Sequence, residues 1–372
     1  MFKFNELTQL QIEITNRCQA SCALCARNVH GGLDNPSLQL NDWTLDNFKK
    51  IFSQEVLDQI SVIDIAGTAG EPTLNKELIE MCEYVKVTNP AVYISIYTNA
   101  GARSTSWWAD LAHALPDNHS VVFALDGLAD TNHLYRTGID FDMVIKHAQA
   151  FISAGGKATW QYIQFKHNQH QVDQAVELAE QLGFQTFVLK SSRRHGDEPF
   201  KVLDRAGQVT HYLESAEETA IKFIRKDDFV NFKDWPNAGN INCYVKKNKE
   251  IYIDANYITL PCCILGSFTY LNIDHNKELY KDFDVYNSVS NFDAGYGVNK
   301  NFVEVIDRLG GMDRLDTSKR SIQDLLDSDT WQTIWQQLWD EKSSDVCIKM
   351  CSQSSPFSSM DEQDIRRINF SK

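Results

Sequence analysis

The chain has no run of about 18 apolar residues, the length a helix needs to cross a bilayer. Its first residues, Met-Phe-Lys-Phe-Asn-Glu, lack the apolar core of a secretory signal peptide. It has no block of like charges, and its net charge is −14 over 372 residues. That balance disfavours nucleic acid and anionic membranes as partners, because both attract basic patches. There is no short repeat, and near the N-terminus no helix-turn-helix pattern that would recognise a leader peptide. These absences predict a cytoplasmic enzyme with no nucleic-acid and no membrane partner. Without a secretory signal, the nine cysteines read as metal or redox chemistry rather than a disulfide framework. The length allows a large core and more than one domain.

Strand and helix patterns alternate through the first 190 residues. Apolar, β-branched runs predict strands at Leu10–Thr15, Ser61–Ala66, Val92–Tyr97, Ser120–Leu125, Thr159–Phe165 and Gln185–Leu189. Helical spacing predicts helices at Thr44–Val56, Leu74–Val87, Ser106–Leu115, Phe141–Ala154 and His170–Leu182. Six strands alternating with helices predict a parallel sheet with right-handed crossovers. In such folds the chemistry sits at the carboxyl ends of the strands.

Three cysteines, Cys18, Cys22 and Cys25, follow the first strand within eight residues. Soft thiolates suit zinc, copper(I) or an iron–sulfur cluster. A closed structural site usually has four protein ligands, so three on one loop leave a metal position open. A zinc loop and unrelated buried thiols are the plainer alternatives. After the second strand comes Gly67-Thr-Ala-Gly-Glu-Pro-Thr73, after the third Tyr97-Thr-Asn-Ala100, and after the fourth Leu125-Asp-Gly followed by His133 and Arg136-Thr-Gly138. After the fifth comes Phe165-Lys-His-Asn168. Each is an ordinary turn on its own, and their order after successive strands is what carries weight.

Over about residues 8–195 this set resembles the radical S-adenosylmethionine (SAM) superfamily. The C-x3-C-x2-C loop matches its cluster loop, and Gly-Glu-Pro, Thr-Asn, Asp-Gly and the strand-end Asn match its recurrent motifs. The resemblance implies a partial (β/α)6 TIM-like barrel. It also implies that Cys18, Cys22 and Cys25 hold a [4Fe–4S] cluster with SAM on the fourth iron, and that Gly70, Glu71, Thr98, Asn99, Asp126, Arg136 and Asn168 bind the cofactor. Ala69 and Ala100 stand where the family often has glycine, Ala124 where it often has serine, and Leu24 where an aromatic often precedes the third cysteine.

A second set lies further on. Lys249 to Cys263 reads as a β-hairpin turning at Asp254–Asn256, and Ser321–Asp340 reads as a helix with Trp331, Trp335 and Trp339 in one stripe. Cys243, Cys262, Cys347 and Cys351 make a four-thiolate set, with a structural zinc site as the plainer alternative. The Pro-Cys-Cys and the later C-x3-C resemble the twitch domain, a shortened SPASM domain, which implies one auxiliary [4Fe–4S] cluster in a C-terminal β-hairpin/helix domain. Cys262 is preferred over Cys263 as ligand, and Cys82 reads as a buried small hydrophobe. Arg193, Arg194 and His195 fit either an anionic ligand or a solvated basic loop.

The expected organisation is a barrel at 1–195, a connecting insertion at 196–240, a twitch-like domain at 241–352 with a long insertion at 267–318, and a tail at 353–372. The activity this implies is reductive cleavage of SAM to a 5′-deoxyadenosyl radical, which abstracts a substrate hydrogen atom, with the auxiliary cluster transferring an electron. The substrate would be a peptide or small molecule being oxidised or matured, and the electron donor a flavodoxin or ferredoxin. The alternatives are a redox-neutral epimerase or carbon–carbon bond-forming enzyme, and a zinc-stabilised non-catalytic binding module.

Overall fold

A computed structural model describes residues 1–35, 38–191, 199–217, 240–266, 305–341, 347, 351 and 364–370. Six strands form its centre: β1 (Gln9–Ile12), β2 (Val62–Ile65), β3 (Tyr93–Thr98), β4 (His119–Ala124), β5 (Ala158–Gln164) and β6 (Thr186–Ser191). Each is parallel to the next in chain order. Alternate residues such as Leu10, Ile12, Ile63, Ile65, Ile94 and Ile96 are wholly buried in one core with the helices. Each such side chain contributes about 1.5–3 kcal/mol when taken out of water. The opposite positions carry polar residues such as Gln9, Gln11 and Asp64. This is the parallel sheet that the alternation predicts, in the partial (β/α)6 barrel that the resemblance implies.

Two predicted helices are broken. Thr44–Val56 is two helices, Leu45–Ile51 and Gln54–Gln59. Phe52 leaves helical geometry at φ −97° and ψ 59°, and the Ser53 hydroxyl caps the second piece by accepting from the Val56 amide. Ser321–Asp340 likewise divides into Ile322–Leu326 and Asp329–Asp340, with Ser328 capping the second. A serine cap offers the backbone a local partner that competes with helix continuation. Leu74–Val87 starts later than predicted, at Leu78, after a single 3-10 turn at Pro72–Leu74.

The sheet also runs beyond the six strands. The predicted hairpin forms as β9 (Glu250–Ile253) and β10 (Thr259–Leu260), and β9 lies parallel against β1, Gln11 opposite Tyr252. Within the segment expected to be a tail, β11 (Asp364–Asn369) pairs antiparallel with β6. The order across the nine strands is β10-β9-β1-β2-β3-β4-β5-β6-β11. A separate antiparallel pair, β7 (Phe200–Leu203) and β8 (Val209–Leu213), comes from the connecting insertion. It lies over the segment after the third cysteine: the Leu203 amide donates to the His30 carbonyl at 2.8 Å, and Phe200 stacks on the His30 ring. Arg193, Arg194, His195 and most of the 267–318 insertion lie outside the described residues.

Candidate active site and a four-thiol cavity

The cysteine loop leaves the carboxyl end of β1 and is fastened to the loops after β2, β3 and β4. The Asn99 amide donates to the Cys18 thiol at 3.5 Å, and Cys25 donates to the Thr68 carbonyl at 3.6 Å. Cys22 lies beside the Arg136 guanidinium, and the Ser21 amide donates to the Thr137 carbonyl at 3.0 Å. The motifs after three successive strands therefore meet around one loop. Burial pushes the Cys22 thiol up to about 11 against the pull of Arg136, and burial with the nearby Glu71 carboxylate pushes Cys18 higher still.

Glycine is required at one point of this junction. A Cβ on Gly70 would collide with the Thr15 carbonyl, so the Gly-Glu-Pro turn and the cysteine loop touch backbone to backbone. The Glu71 amide donates to the Arg17 carbonyl at 2.7 Å, a second backbone tie. Ala69, which stands where the family has glycine, is not among the positive-φ residues, so its methyl group costs no backbone strain. Ala100 does have positive φ, 51°, the geometry for which glycine is suited.

Both carboxylate oxygens of Glu71 accept hydrogen bonds within the protein. Its Oε1 accepts from the Thr73 amide (3.1 Å), the Thr73 hydroxyl (2.8 Å) and the Thr98 hydroxyl (2.5 Å), and Oε2 accepts from the Asn99 amide (2.7 Å). Burial raises its pKa while these donors, Thr98 first, pull it back. Asp126 and Asn168 form a second network. The Asp126 carboxylate pairs with Arg136 Nε at 2.5 Å and accepts from the Ile163 amide, while the Asn168 amide group donates to the Asp126 and Ile163 carbonyls. The cofactor-binding residues expected from sequence thus fall into two clusters, one beside Cys18 and one beside Cys22: Gly70, Glu71, Thr98 and Asn99 in the first, Asp126, Arg136 and Asn168 in the second.

Sequence reasoning missed Glu13 and Tyr252. Glu13 is wholly buried at the end of β1, and its carboxylate accepts from the Thr68 amide at 2.8 Å, the Ala69 amide at 3.4 Å and the Tyr252 hydroxyl. It joins the β9 hairpin to the Gly-Glu-Pro turn. A lone acidic residue closing an apolar strand was the available signal.

The second cysteine set converges as well. Cys243, Cys262, Cys347 and Cys351 line one cavity, together with Tyr244, Trp335 and Trp339; Cys263 does not line it. The Cys351 thiol donates to Cys243, which with the Lys246 and Val245 amides lowers Cys243 to about 7, while Cys351 moves up. Burial pushes Cys262 up, with Cys263, Cys347 and Cys243 adding to the shift. Cys82 lies apart, buried in the helix Leu78–Thr88.

Residues 12–179 match the family model of the Radical SAM superfamily. This part of the chain is a radical SAM domain. Among curated proteins, a PqqA peptide cyclase of Bradyrhizobium diazoefficiens is 31% identical over 127 residues, covering 34% of this chain and 31% of that protein. A PqqA peptide cyclase of Rhodopseudomonas palustris is 28% identical over 103 residues, covering 28% and 25%. The chain therefore matches about a third or less of the length of these relatives. Among solved structures, SuiB of Streptococcus suis bound to its precursor peptide SuiA is 19% identical with a TM-score of 0.48, covering 72% of this chain and 61% of that one.

The match of residues 12–179 to this family model implies a [4Fe–4S] cluster and SAM, and the matched domain fits both. Its three loop thiols are the soft donors a cluster needs. The loops after β2, β3 and β4 each contact the cysteine loop, and the Gly70 turn lets backbone approach closely. Among the described residues no three His, Cys, Asp or Glu side chains are arranged to hold a single metal ion. A cubane cluster spaces its thiolates more widely than one ion does. Among the described residues no helix is long and apolar enough to cross a membrane.

Proposed function

We propose that this chain is a peptide-modifying radical SAM enzyme with two [4Fe–4S] clusters, one on Cys18, Cys22 and Cys25 and one on Cys243, Cys262, Cys347 and Cys351. The single observation that carries the second cluster is the convergence of those four cysteines, from three separated segments, on one cavity. The name borne by the curated relatives supports a peptide as substrate. When bound, the first cluster and SAM would supply the one-electron chemistry that starts hydrogen-atom abstraction, and the second cluster would accept the electron left by substrate oxidation.

The protein's own share is placement and exclusion of water. Asn99 and Arg136 hold Cys18 and Cys22 in position. Glu71 and Glu13 fix the turn whose backbone would meet the methionine end of SAM. With their polar atoms bonded inside the protein, Glu71 and Asn168 would act on SAM chiefly by shaping that backbone. The β7–β8 pair would cover the loop. A flavodoxin or ferredoxin would deliver the first electron. The proposed boundaries remain a barrel at 1–195 and a cluster domain at 241–352, joined through the β1–β9 pairing.

Anaerobic reconstitution should give about eight irons and eight sulfides per chain, the sum for two [4Fe–4S] clusters. With dithionite and SAM the protein should form 5′-deoxyadenosine, and replacing Cys18, Cys22 and Cys25 by Ala should abolish it. Stoichiometric zinc in place of iron, or undiminished 5′-deoxyadenosine from the triple variant, would overturn the proposal.

A further inference from the structure

Three hydrogen-bond donors in the wall of the four-thiol cavity have no partner among the described residues. The Tyr244 hydroxyl and the Nε1–H groups of Trp335 and Trp339 are buried and have no partner, oxygen or sulfur, among the described residues. All three residues line the cavity with Cys243, Cys262, Cys347 and Cys351. Trp331 also buries an unpartnered Nε1, but it does not line this cavity. Buried donors are nearly always satisfied, and leaving one unmet is destabilising. Three unmet donors around one set of thiols therefore point to an acceptor that belongs between them. Among the described residues the side chains of the remaining wall offer none, since Pro261, Ile264 and Leu265 are apolar.

Resting on the proposed auxiliary cluster, we infer that Tyr244, Trp335 and Trp339 donate hydrogen bonds to the sulfur atoms of that cluster and so set its reduction potential. The sulfides and thiolate sulfurs of a cluster are weak acceptors whose negative charge increases when the cluster gains an electron. Donors aimed at them stabilise the reduced state more than the oxidised one and raise the potential. The apolar wall strengthens the effect by lowering the local dielectric. Lys246 adds to it, its ammonium lying 5.4 Å above the Trp339 ring while held by Gln336 Oε1 at 3.0 Å. These are positioning and tuning residues, because none of them is a ligand in the proposed set.

The inference is tested in the full chain carrying Cys18→Ala, Cys22→Ala and Cys25→Ala, so that only the auxiliary cluster remains. Tyr244→Phe and Trp335→Phe are added singly, and iron content and an EPR-monitored redox titration are measured under anaerobic conditions. Each added variant should keep about four irons per chain. At the parent's midpoint potential, its ratio of reduced to oxidised cluster should fall by about three- to ten-fold. Pulsed EPR in water and deuterium oxide should show the loss of one exchangeable-proton coupling to the reduced cluster. Unchanged potential and couplings with iron retained would overturn the inference. So would iron loss in Tyr244→Phe, which keeps the ring and would make the hydroxyl a retaining group rather than a tuning one. A parent without iron would instead overturn the four-thiol reading itself. Should Trp335→Phe fail to fold, Tyr244→Phe decides the matter alone.

Discussion

Glu71 shows how a residue picked out by sequence can do its work indirectly. The Gly-Glu-Pro motif singles it out, and the resemblance implies that it binds the cofactor. In the structure its oxygens face four donors from Thr73, Thr98 and Asn99, and it ties the β2 turn to the end of β3. Glu71→Gln would turn an amide NH2 toward groups that are themselves donors. Hydrogen bonds to a charged group contribute about 1.5–3 kcal/mol each, so the variant should lose roughly 2–4 kcal/mol of stability. The turn it holds should loosen, and SAM affinity should fall about ten-fold or more. Iron on the cysteine loop should be retained. Isothermal titration with SAM and thermal melting of the same preparation check this. Full affinity alongside reduced stability would separate the tie from the cofactor.

Elements were legible where a local pattern dictated them. β1 to β6 follow from apolar, β-branched alternation, and the helix Val172–Leu182 from its spacing and Gly183 at φ 86°. Serine caps broke two helices because a hydroxyl two or three residues from a backbone amide competes with continuation, and periodicity does not register that. β11 was missed because Asp364-Ile-Arg-Arg-Ile-Asn369 is short and charged and becomes a strand only beside the β6 edge. The pairing of β9 with β1 is likewise non-local, set by sheet geometry across some 240 residues. That pairing gives Tyr252 its role: it is wholly buried and donates to Glu13, which holds the Thr68 and Ala69 amides. Tyr252→Phe should cost about 1–2 kcal/mol of stability. It should also raise the SAM dissociation constant several-fold with iron content unchanged. An unchanged dissociation constant would show that the hairpin does not brace the cofactor turn.

At the scale of the whole molecule, the chain joins two thiol sets through one sheet. The first is local, three cysteines on one loop, and a sequence displays it directly. The second comes from Cys243, Cys262 and the Cys347–Cys351 pair, so its spacing in sequence says little about its spacing in space. Only the fold, with the hairpin beside β1 and the tryptophan helix against it, brings the four to one cavity. Metal binding at such a site is coupled to folding, because the ligands are not assembled in the unfolded chain. Cys347→Ala combined with Cys351→Ala should therefore lower iron by about half and destabilise the hairpin and the helix Asp329–Asp340. In the proposed assignment the cleavage of SAM depends on the first thiol set, so 5′-deoxyadenosine formation should persist. Product formation should fall much further, since the electron released on substrate oxidation would lose its acceptor. Measuring iron, 5′-deoxyadenosine and product in one anaerobic assay distinguishes the outcomes. Full iron would show that these thiols are not ligands. Half the iron with normal product would leave the second site a purely structural task.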